Sequence, residues 1–429
     1  MINDILFWMF AITSTLYAIH LGLYLVGANF YDIWQYRRRA RYQQLQEEGQ
    51  LQWRPLVSVV ISAHNEEMVL ARCLDSIRGS TYKNVQVVLM DDASADNTLA
   101  IARRYQRKYR NMNITVAHMS KNSGKGGALN RALTEFAKGE LVMTLDADSI
   151  LSKTAIERAV GYFIDPTIVG VAANVRIIEE PSVLGVLQTL EHMIGYRSKK
   201  FYSIANCEFV IGGVASTYRM DVLRAVNFYD TDTFTEDIGL SIKIVSQGNR
   251  NARLVYGADI VATTEGVTRF KALFRQRFRW KYGSLQNLVK YRRLILNPSA
   301  RYSRSLTLYR MPMAVLSEIV IMCLPFILGY VIYVSITSLD PRLLVGAYFT
   351  ITAYTMMTLW FDEHTSFWNR IRLSLYAPIM YFIFYIMDMV QVVAVVRCAI
   401  KIRSLVTQKN EGSTWVSPQR VGREVTPTL

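Results

Sequence analysis

Two hydrophobic patterns divide the chain. Four almost uncharged runs are each long enough to cross a hydrocarbon core of about 30 Å, which takes about 20 helical residues. They are Leu6–Phe30, Met311–Ile336, Leu343–Phe361 and Tyr376–Ile400. From about Trp53 to Tyr302 the apolar runs are short and separated by polar stretches, as in a water-soluble domain. We therefore predict a transmembrane helix over 1–31, a soluble domain over 53–265 and a C-terminal transmembrane region over 311–400.

Basic residues set the predicted orientation. Arg37, Arg38, Arg39 and Arg41 follow the first apolar run, whereas a signal peptide has its cations before a shorter apolar region. Cations beside a span favour the inside, so we expect a multi-pass protein of the cell (inner) membrane with a cytoplasmic domain. Three further crossings would leave the basic tail, 401–429, outside. We therefore expect a cytoplasmic tail and an even number of C-terminal crossings, with one apolar run re-entrant or interfacial.

Strand-like and helix-like segments alternate in the soluble part. Four short runs lack polar alternation, as expected of strands buried on both faces: Leu56–Ala63, Val85–Met90, Ile114–Ala117 and Leu141–Leu145. Helix-like stretches between them cover Glu66–Ser76, Asn97–Tyr109 and Lys125–Lys138. This order predicts an α/β domain with a mostly parallel sheet. Ligands of such sheets bind beyond the carboxyl ends of the strands, so the residues that follow each strand are the candidates for chemistry.

Carboxylates follow three of these strands. Asp91-Asp92 follows the second and Asp146-Ala147-Asp148 follows the fourth, while Glu66 lies just after the first. Helix capping explains one acidic residue per loop, but adjacent like charges need a cation or a hydrogen-bond donor to compensate them. The spacing of Asp146 and Asp148 suits one divalent cation, Mg²⁺ or Mn²⁺, since such ions prefer oxygen ligands.

Two further segments are candidates for chemistry. The glycine-rich run Ser123-Gly124-Lys125-Gly126-Gly127 does not have P-loop spacing, and it is either a helix-capping turn or a place where Lys125 meets phosphates at a helix start. Thr235-Glu236-Asp237 precedes an amphipathic stretch. Its acidic residues either stabilise a helix N-terminus or supply a general base.

A basic and aromatic segment follows the soluble domain. Arg269–Arg293 has Arg or Lys at nine positions between apolar residues, which is typical of an amphipathic helix in a membrane interface; we place this helix within 266–300. Single-stranded nucleic acid can also bind such a pattern. The membrane spans make a bilayer the favoured partner, and much of the net charge of +15 flanks them. The four cysteines have no metal-site spacing.

The sequence resembles the processive, membrane-bound glycosyltransferases of family 2, which include cellulose, chitin, hyaluronan and poly-N-acetylglucosamine synthases. Four motifs occur in the family's order: Asp91-Asp92, Asp146-Ala147-Asp148, Thr235-Glu236-Asp237 and Gln276-Arg277-Phe278-Arg279-Trp280. Asn174-Val175-Arg176 and the stretch around Gln188 and Glu191 look most like the poly-N-acetylglucosamine branch. The chain has one N-terminal span where some relatives have two.

The resemblance implies a GT-A fold, a UDP-sugar donor, a growing β-linked polysaccharide and Mg²⁺ or Mn²⁺, with a small accessory membrane subunit as a further candidate partner and no nucleic acid. By resemblance, the uridine and diphosphate would meet Ala63, Glu66, Asp91, Asp92, Lys125 and Asp146. The metal would be held by Asp148 with Asp146 nearby. Asp237 would be the catalytic base, with Glu236 beside it, and Gln276, Arg279 and Trp280 would hold the acceptor.

Three functions stay open on the sequence. The favoured one is a processive synthase, for which UDP-N-acetylglucosamine is the expected donor. The alternative is a non-processive transferase that adds one sugar to a lipid carrier, which leaves the Gln276–Trp280 set without a role. The third is a non-catalytic membrane scaffold or nucleic-acid binder that uses the basic face.

Overall fold

The computed structural model describes residues 2–50, 53–109, 112–178 and 182–403. The predicted cytoplasmic tail lies, beyond residue 403, outside the described residues. The strands are β1 (Val57–Ala63), β2 (Val85–Asp91), β3 (Asn113–His118), β4 (Leu141–Asp146), β5 (Ile150–Leu151), β6 (Ile168–Ile177), β7 (Ser216–Arg219) and β8 (Arg253–Thr264). The helices are α1 (Ile2–Glu47), α2 (Leu70–Arg78), α3 (Thr98–Lys108), α4 (Gly124–Glu135), α5 (Ala155–Tyr162), α6 (Val183–Ile204), α7 (Met220–Ala225), α8 (Glu236–Val245), α9 (Phe270–Lys290), α10 (Met311–Thr337), α11 (Arg342–Trp360) and α12 (Phe367–Ile400).

The strands of the described chain form one sheet in the order β3-β2-β1-β4-β7-β6-β8-β5. β3, β2, β1 and β4 are parallel, β7 is antiparallel to both β4 and β6, and β6 is parallel to β8. The predicted GT-A-like domain with a mostly parallel sheet is confirmed. The four sequence-predicted strands occur within one or two residues of their predicted bounds.

The uninterrupted apolar character of β1 and β2 follows from burial on both faces. In β1, Val59 and Ile61 pack into the core under α2 and α5, while Val60 packs into the core on the other face, with α4 and α8. Ser58, a polar residue near the start of β1, is fully buried and donates a 2.7 Å hydrogen bond to the Gln86 side chain. Because both faces are covered, the carboxyl ends of the strands are the open edge of the sheet.

The segment after β1 does not enter a helix where the pattern predicted. The helix was expected from Glu66, but α2 begins at Leu70. The Thr98 hydroxyl accepts from the Glu66 N–H at 2.8 Å, and Asp96 accepts from the Glu67 N–H at 3.1 Å. These bonds attach the segment to the neighbouring loop, so Glu66 belongs to the strand-end edge and not to the helix.

Three segments of the described chain are long and apolar enough to cross a membrane: Asp4–Glu47, Ser305–Thr337 and Phe382–Ile400. The fourth predicted apolar run, Leu343–Phe361, forms α11. α1 is longer than the predicted 1–31 because it continues through the arginine cluster. Arg38 and Arg39 bind Asp259 at 3.1 and 3.0 Å, so the end of α1 is attached to the domain.

Candidate active site at the strand ends

The loops after β1 and β2 are joined by their own polar groups. The Ala63 carbonyl accepts from the Asp92 N–H at 2.8 Å, and His64 Nδ1 lies 2.7 Å from the Asp92 carbonyl oxygen. Asn65 has a positive φ of 56°, which non-glycine residues seldom adopt, and its side chain accepts from the Ala95 N–H at 2.8 Å. Buried Ala63 and Glu66 therefore form one wall together with the loop after β2.

Asp91 and Asp92 are almost fully buried, with 0% and 2% exposure. Asp91 Oδ2 lies 2.8 Å from His118 Nδ1 at the end of β3, while Oδ1 has no hydrogen-bond partner among the described residues. Asp92 Oδ1 accepts from both the backbone N–H and the hydroxyl of Ser123, at 2.8 and 3.1 Å. Hydrogen-bond donors thus compensate part of this paired charge, and Asp92 fixes the start of the glycine-rich loop.

Lys125, in the first turn of α4, lies among carboxylates. Its Nζ is 2.5 Å from Asp146 Oδ1 and 3.9 Å from Glu236 Oε1. Burial alone would lower the pKa of Lys125, but the charges of Asp146, Glu236 and Asp237 outweigh it and raise the pKa above its usual value. Lys125 is therefore a fixed cation at this edge.

Asp146 and Asp148 lie at and just after the end of β4, as predicted. Asp148 is 5% exposed and its Oδ1 accepts from the Ser149 hydroxyl at 2.9 Å. The pair offers the carboxylate oxygens that Mg²⁺ or Mn²⁺ prefers, so the donor set fits such an ion. Within the described residues, no three His, Cys, Asp or Glu side chains gather into a metal cluster, so protein groups alone would leave the coordination shell incomplete.

Glu236 and Asp237 form the first turn of α8 and face Lys125. A Cβ added to Gly213 would lie 2.6 Å from Lys125 Nζ and 3.5 Å from Asp237 Oδ2, so the lysine and this carboxylate converge on the same glycine. Burial raises the pKa of the Glu236 carboxyl, and the charge of Asp237 adds to the shift, although Lys125 opposes it. The charged side chains of α4, β4 and α8 thus lie close together: Lys125, Asp146, Glu236 and Asp237.

The loop before α8 is held by the second half of α9. The Asn287 side chain donates to the Thr235 carbonyl and hydroxyl oxygens, each at 3.1 Å, and the Gln286 side chain accepts from the Phe234 N–H at 3.0 Å. Gly283 permits this close approach, because a Cβ there would lie 2.6 Å from the Thr235 hydroxyl oxygen. The position of the two carboxylates therefore depends on α9.

The first half of α9 carries the predicted acceptor motif. Arg277 is 6% exposed and donates to both carboxylate oxygens of Glu191 on α6, at 2.6 to 3.1 Å. Its guanidinium also lies 4.2 Å from the ring centroid of Trp280, and Gln276 accepts from it at 2.8 Å. The ring of His192 approaches Trp280 edge-on, with the centroids 6.4 Å apart. Trp280 is thus oriented by His192 of α6 and by Arg277, which Glu191 of α6 holds in turn.

Arg279 connects the two halves of the site. Its positive charge lowers the pKa of Glu236, although this effect is smaller than that of burial. The structure therefore brings Lys125, Asp146, Glu236 and Asp237 together, with Arg279 near enough to act on Glu236. Of the buried pair, Asp92 contacts the start of the glycine-rich loop at Ser123.

Sequence reasoning missed the groups that hold these residues in place. It assigned no role to His192, Gly283 or Asn287, and Glu191 entered only through the resemblance of its surroundings. A usable signal was the small residue Gly283 one turn after Trp280, followed by the polar pair Gln286-Asn287 on a helix otherwise expected to face lipid. For Glu191, the partner is 86 residues away along the chain, and no local pattern indicates it.

The soluble domain of the chain is similar to known proteins. Residues 58–226 match the model of glycosyl transferase family 2. The poly-β-1,6-N-acetyl-D-glucosamine synthase of Staphylococcus aureus (strain COL) is 30% identical over 239 residues, which are 54% of this chain and 56% of that protein. The synthase of the same name from Staphylococcus epidermidis is 28% identical over 237 residues, with the same coverage.

Among solved structures, a mannosyltransferase from Pyrobaculum calidifontis in complex with GDP-Man and Mn²⁺ superposes with a TM-score of 0.57 at 19% identity. The match covers 91% of this chain and 99% of that one, and it shows the fold. The chain spans about half the length of the curated relatives that it matches. Residues 58–226 are thus similar to the family 2 glycosyltransferases, and about half of the chain is similar to the poly-β-1,6-N-acetyl-D-glucosamine synthases.

Proposed function

We propose that this protein is a membrane-bound, inverting hexosyltransferase that extends a β-linked polysaccharide from a UDP-sugar, works processively and passes the product across the membrane. The observation that carries the proposal is the convergence of Lys125, Asp146, Glu236 and Asp237 at the carboxyl ends of the strands. The helix that carries the acceptor motif, α9, is bonded through Asn287 to the loop before Glu236 and Asp237. The kinship with the poly-β-1,6-N-acetyl-D-glucosamine synthases supports UDP-N-acetylglucosamine as the donor.

The donor would lie across the strand ends. Ala63, Glu66, Asp91 and Asp92 border the place for uridine, and Lys125 has the charge to meet the diphosphate. A divalent metal would be held by Asp148 and Asp146, where it would neutralise the charge that develops on the leaving diphosphate. The Mn²⁺ in the mannosyltransferase that shares this fold supports a metal of this class, and the donor's own phosphates would supply the ligands that the protein lacks.

Asp237 is the proposed base. It takes the proton from the acceptor hydroxyl as that oxygen attacks the anomeric carbon; the bond from this carbon to the diphosphate breaks, and UDP leaves with the electron pair. Lys125 and Arg279 stabilise the departing charge. Glu236, whose pKa burial raises, keeps Lys125 in place on the side away from Asp146. One such in-line displacement inverts the anomeric centre and gives a β-linkage from an α-linked donor.

The acceptor sugar would stack on Trp280, whose flat face suits a sugar ring and whose N–H offers one hydrogen bond. Gln276 and Arg279 flank this ring on α9. Since Trp280 is held from α6 and the base is held from the second half of α9, a single helix sets the distance between the acceptor and the base. This arrangement favours chain extension over transfer to a lipid carrier.

The test compares Asp237→Asn with Asp221→Asn in membranes supplied with labelled UDP-sugars and a divalent cation. Each aspartate lies in the first turn of a helix and accepts from the next backbone N–H at 2.8 Å, so the two changes match locally. We expect Asp237→Asn to reduce product formation about 10²- to 10⁴-fold, the usual contribution of a general base, and Asp221→Asn to have little effect. Product with only one added sugar, extractable into organic solvent, would refute the polymerase proposal in favour of the lipid-carrier alternative.

A further inference from the structure

The last helix, α12, runs beside α9 along most of its length. At the start of α9, Leu273 shares an apolar cluster with Leu373 and Met380 of α12. At its end, Tyr282 and Leu285 share another cluster with Val395 and Cys398. The two helices therefore run in the same direction, and α12 packs more extensively on α9 than on any other helix.

α9 cannot cross a bilayer. It has six lysines and arginines in 21 residues, and each such charge costs about 2.5 kcal/mol or more at the centre of a membrane. Its second half is also hydrogen-bonded to the loop at Thr235, beside the catalytic carboxylates. A helix that stays alongside α9 from one end to the other consequently remains at the same membrane face.

Both ends of α12 contact parts of the soluble domain or of α9. Before its start, Asp362 binds Arg176 of β6 at 3.0 Å, and His364 Nε2 lies 3.0 Å from the Ala258 carbonyl oxygen of β8. Near its end, the Arg397 guanidinium lies 5.3 Å from the ring centroid of Phe278 on α9. A crossing helix would carry one of its ends about 30 Å away from the domain.

The charges of α12 agree with this packing. Arg370 and Arg372 lie near its start, whereas Arg397, Lys401 and Arg403 lie at and just after its end, and Asp388 is the charged residue between the two groups. Cations flanking apolar segments favour the cytoplasmic side. If α12 crossed the membrane, one of the two basic groups would lie on the opposite side. If α12 lies flat, both groups reach the headgroups of the same leaflet.

The outer face of α12 indicates what covers it. Exposed apolar side chains recur every three or four residues and so form one stripe: Leu375, Ile379, Phe382, Ile386, Met389, Val393, Val396 and Ile400. The stripe begins beside α11, where Trp360 donates to Ser374 at 3.1 Å, so it is continuous with an apolar helix whose 19 residues come close to the roughly 20 that a span needs. A lipid leaflet is the partner that fits an apolar stripe with cations at both ends.

We infer that α12 does not cross the membrane but lies along α9 with its apolar stripe in the lipid of the domain-side leaflet. The membrane crossings are then α1, α10 and α11, and Arg403, just after the end of α12, lies on the side of the catalytic domain. Length and composition alone also allow Phe382–Ile400 to span; the packing on α9 decides against it. This assignment provides the even number of C-terminal crossings, and Tyr376–Ile400 is the run that makes none.

Cysteine accessibility tests the inference in the full-length protein. Arg403→Cys reports the end of α12, while Ser338→Cys, exposed between α10 and α11, and Arg104→Cys, exposed on α3, mark the two sides. A membrane-impermeant maleimide is added to sealed cells and then to permeabilised ones, with the unsubstituted chain as background for its own four cysteines. We expect Arg403→Cys to behave like Arg104→Cys, unlabelled until permeabilisation; labelling in sealed cells together with Ser338→Cys would overturn the inference.

Depth measurements provide a second, independent readout. Ile386→Cys carries a bimane fluorophore, and the protein is reconstituted in lipid brominated either near the headgroup or near the chain end. A flat α12 predicts stronger quenching by the shallow bromines, whereas a crossing α12 places residue 386 near the bilayer centre and predicts stronger quenching by the deep ones. Retained transferase activity shows that each variant is folded, since none of the substituted residues, Arg104, Ser338, Ile386 and Arg403, belongs to the proposed site.

Discussion

Replacing Glu191 by glutamine tests whether α6 positions the acceptor ring. Arg277 donates to both oxygens of this carboxylate and lies against Trp280. Glutamine keeps the size of the side chain but removes the charge and one acceptor oxygen, so the Arg277 guanidinium can no longer donate to two carboxylate oxygens. We expect polymer formation to fall because Trp280 loses its fixed orientation, while the donor site, built from other loops, is unchanged.

The burial of the pair sets the magnitude. Breaking a fully buried ion pair costs about 3–5 kcal/mol, and an exposed pair contributes about 0–1 kcal/mol. The Arg277 side chain is 7% exposed but that of Glu191 is 34% exposed, so we assign about 1–2 kcal/mol after allowing for solvent screening. One to two kcal/mol corresponds to a factor of about 5–30, which is the expected loss of transfer.

The assay separates acceptor positioning from general damage. Donor binding, donor hydrolysis to UDP and incorporation into polymer are measured on the same membranes, with Glu135→Gln as the control. Glu135 also forms an ion pair with an arginine, Arg131, but both side chains are at least 40% exposed, so this change should have little effect. Equal loss of donor binding and of polymer in Glu191→Gln would refute the positioning role, as would full activity.

Three further results are expected. Gly283→Ala should destabilise the protein by about 1–3 kcal/mol and reduce activity by displacing α9 from Thr235. The control Gly195→Ala, whose new Cβ meets nothing within 4 Å on α6, should leave activity unchanged and should not destabilise the protein, since Ala favours a helix interior over Gly. Lys125→Gln should raise the donor KM and increase the need for divalent cation, as measured by UDP release, because Asp146 loses its cation. Burial, helped by the charge of Arg277, lowers the pKa of His192 to about 4. Unfolding between pH 6.5 and 4 therefore takes up a proton, so the stability of the protein, measured by thermal unfolding, should fall across this range as the pH decreases. The fall should be smaller in His192→Gln.

The parallel half of the sheet could be predicted from the sequence because its signal is local. β1 and β2 are buried on both faces, so their apolar runs are uninterrupted, and their ends are marked by Asn65 and by Asp91-Asp92. The mixed half was not predicted. β7 has only four residues, and β6 and β8 have register shifts where they pair, so neither length nor simple periodicity identified them.

The candidate site divides in the same way. The carboxylates at the strand ends, Lys125 and the α9 motif are recognisable because each lies in a short run with a chemical pattern. The contacts that orient them join distant segments: Glu191 reaches Arg277, and Asn287 reaches Thr235. Such contacts arise only when α6 and α9 pack on the sheet, and the sequence reveals them no more than it reveals which apolar run lies along α9.

The position of α9 follows from these contacts together. One side of the helix is bonded to the loop of the catalytic carboxylates, its first half is held from α6, and its apolar side is covered by α12. If α12 lies in the leaflet, then the distance between the acceptor ring and the base depends on contacts made at the membrane surface. Loosening α12 should therefore impair chain extension even though α12 contributes no residue to the proposed chemistry, because α9 would lose the packing that keeps Trp280 and Asp237 in register. Attachment to the membrane and catalysis would then share the same helix.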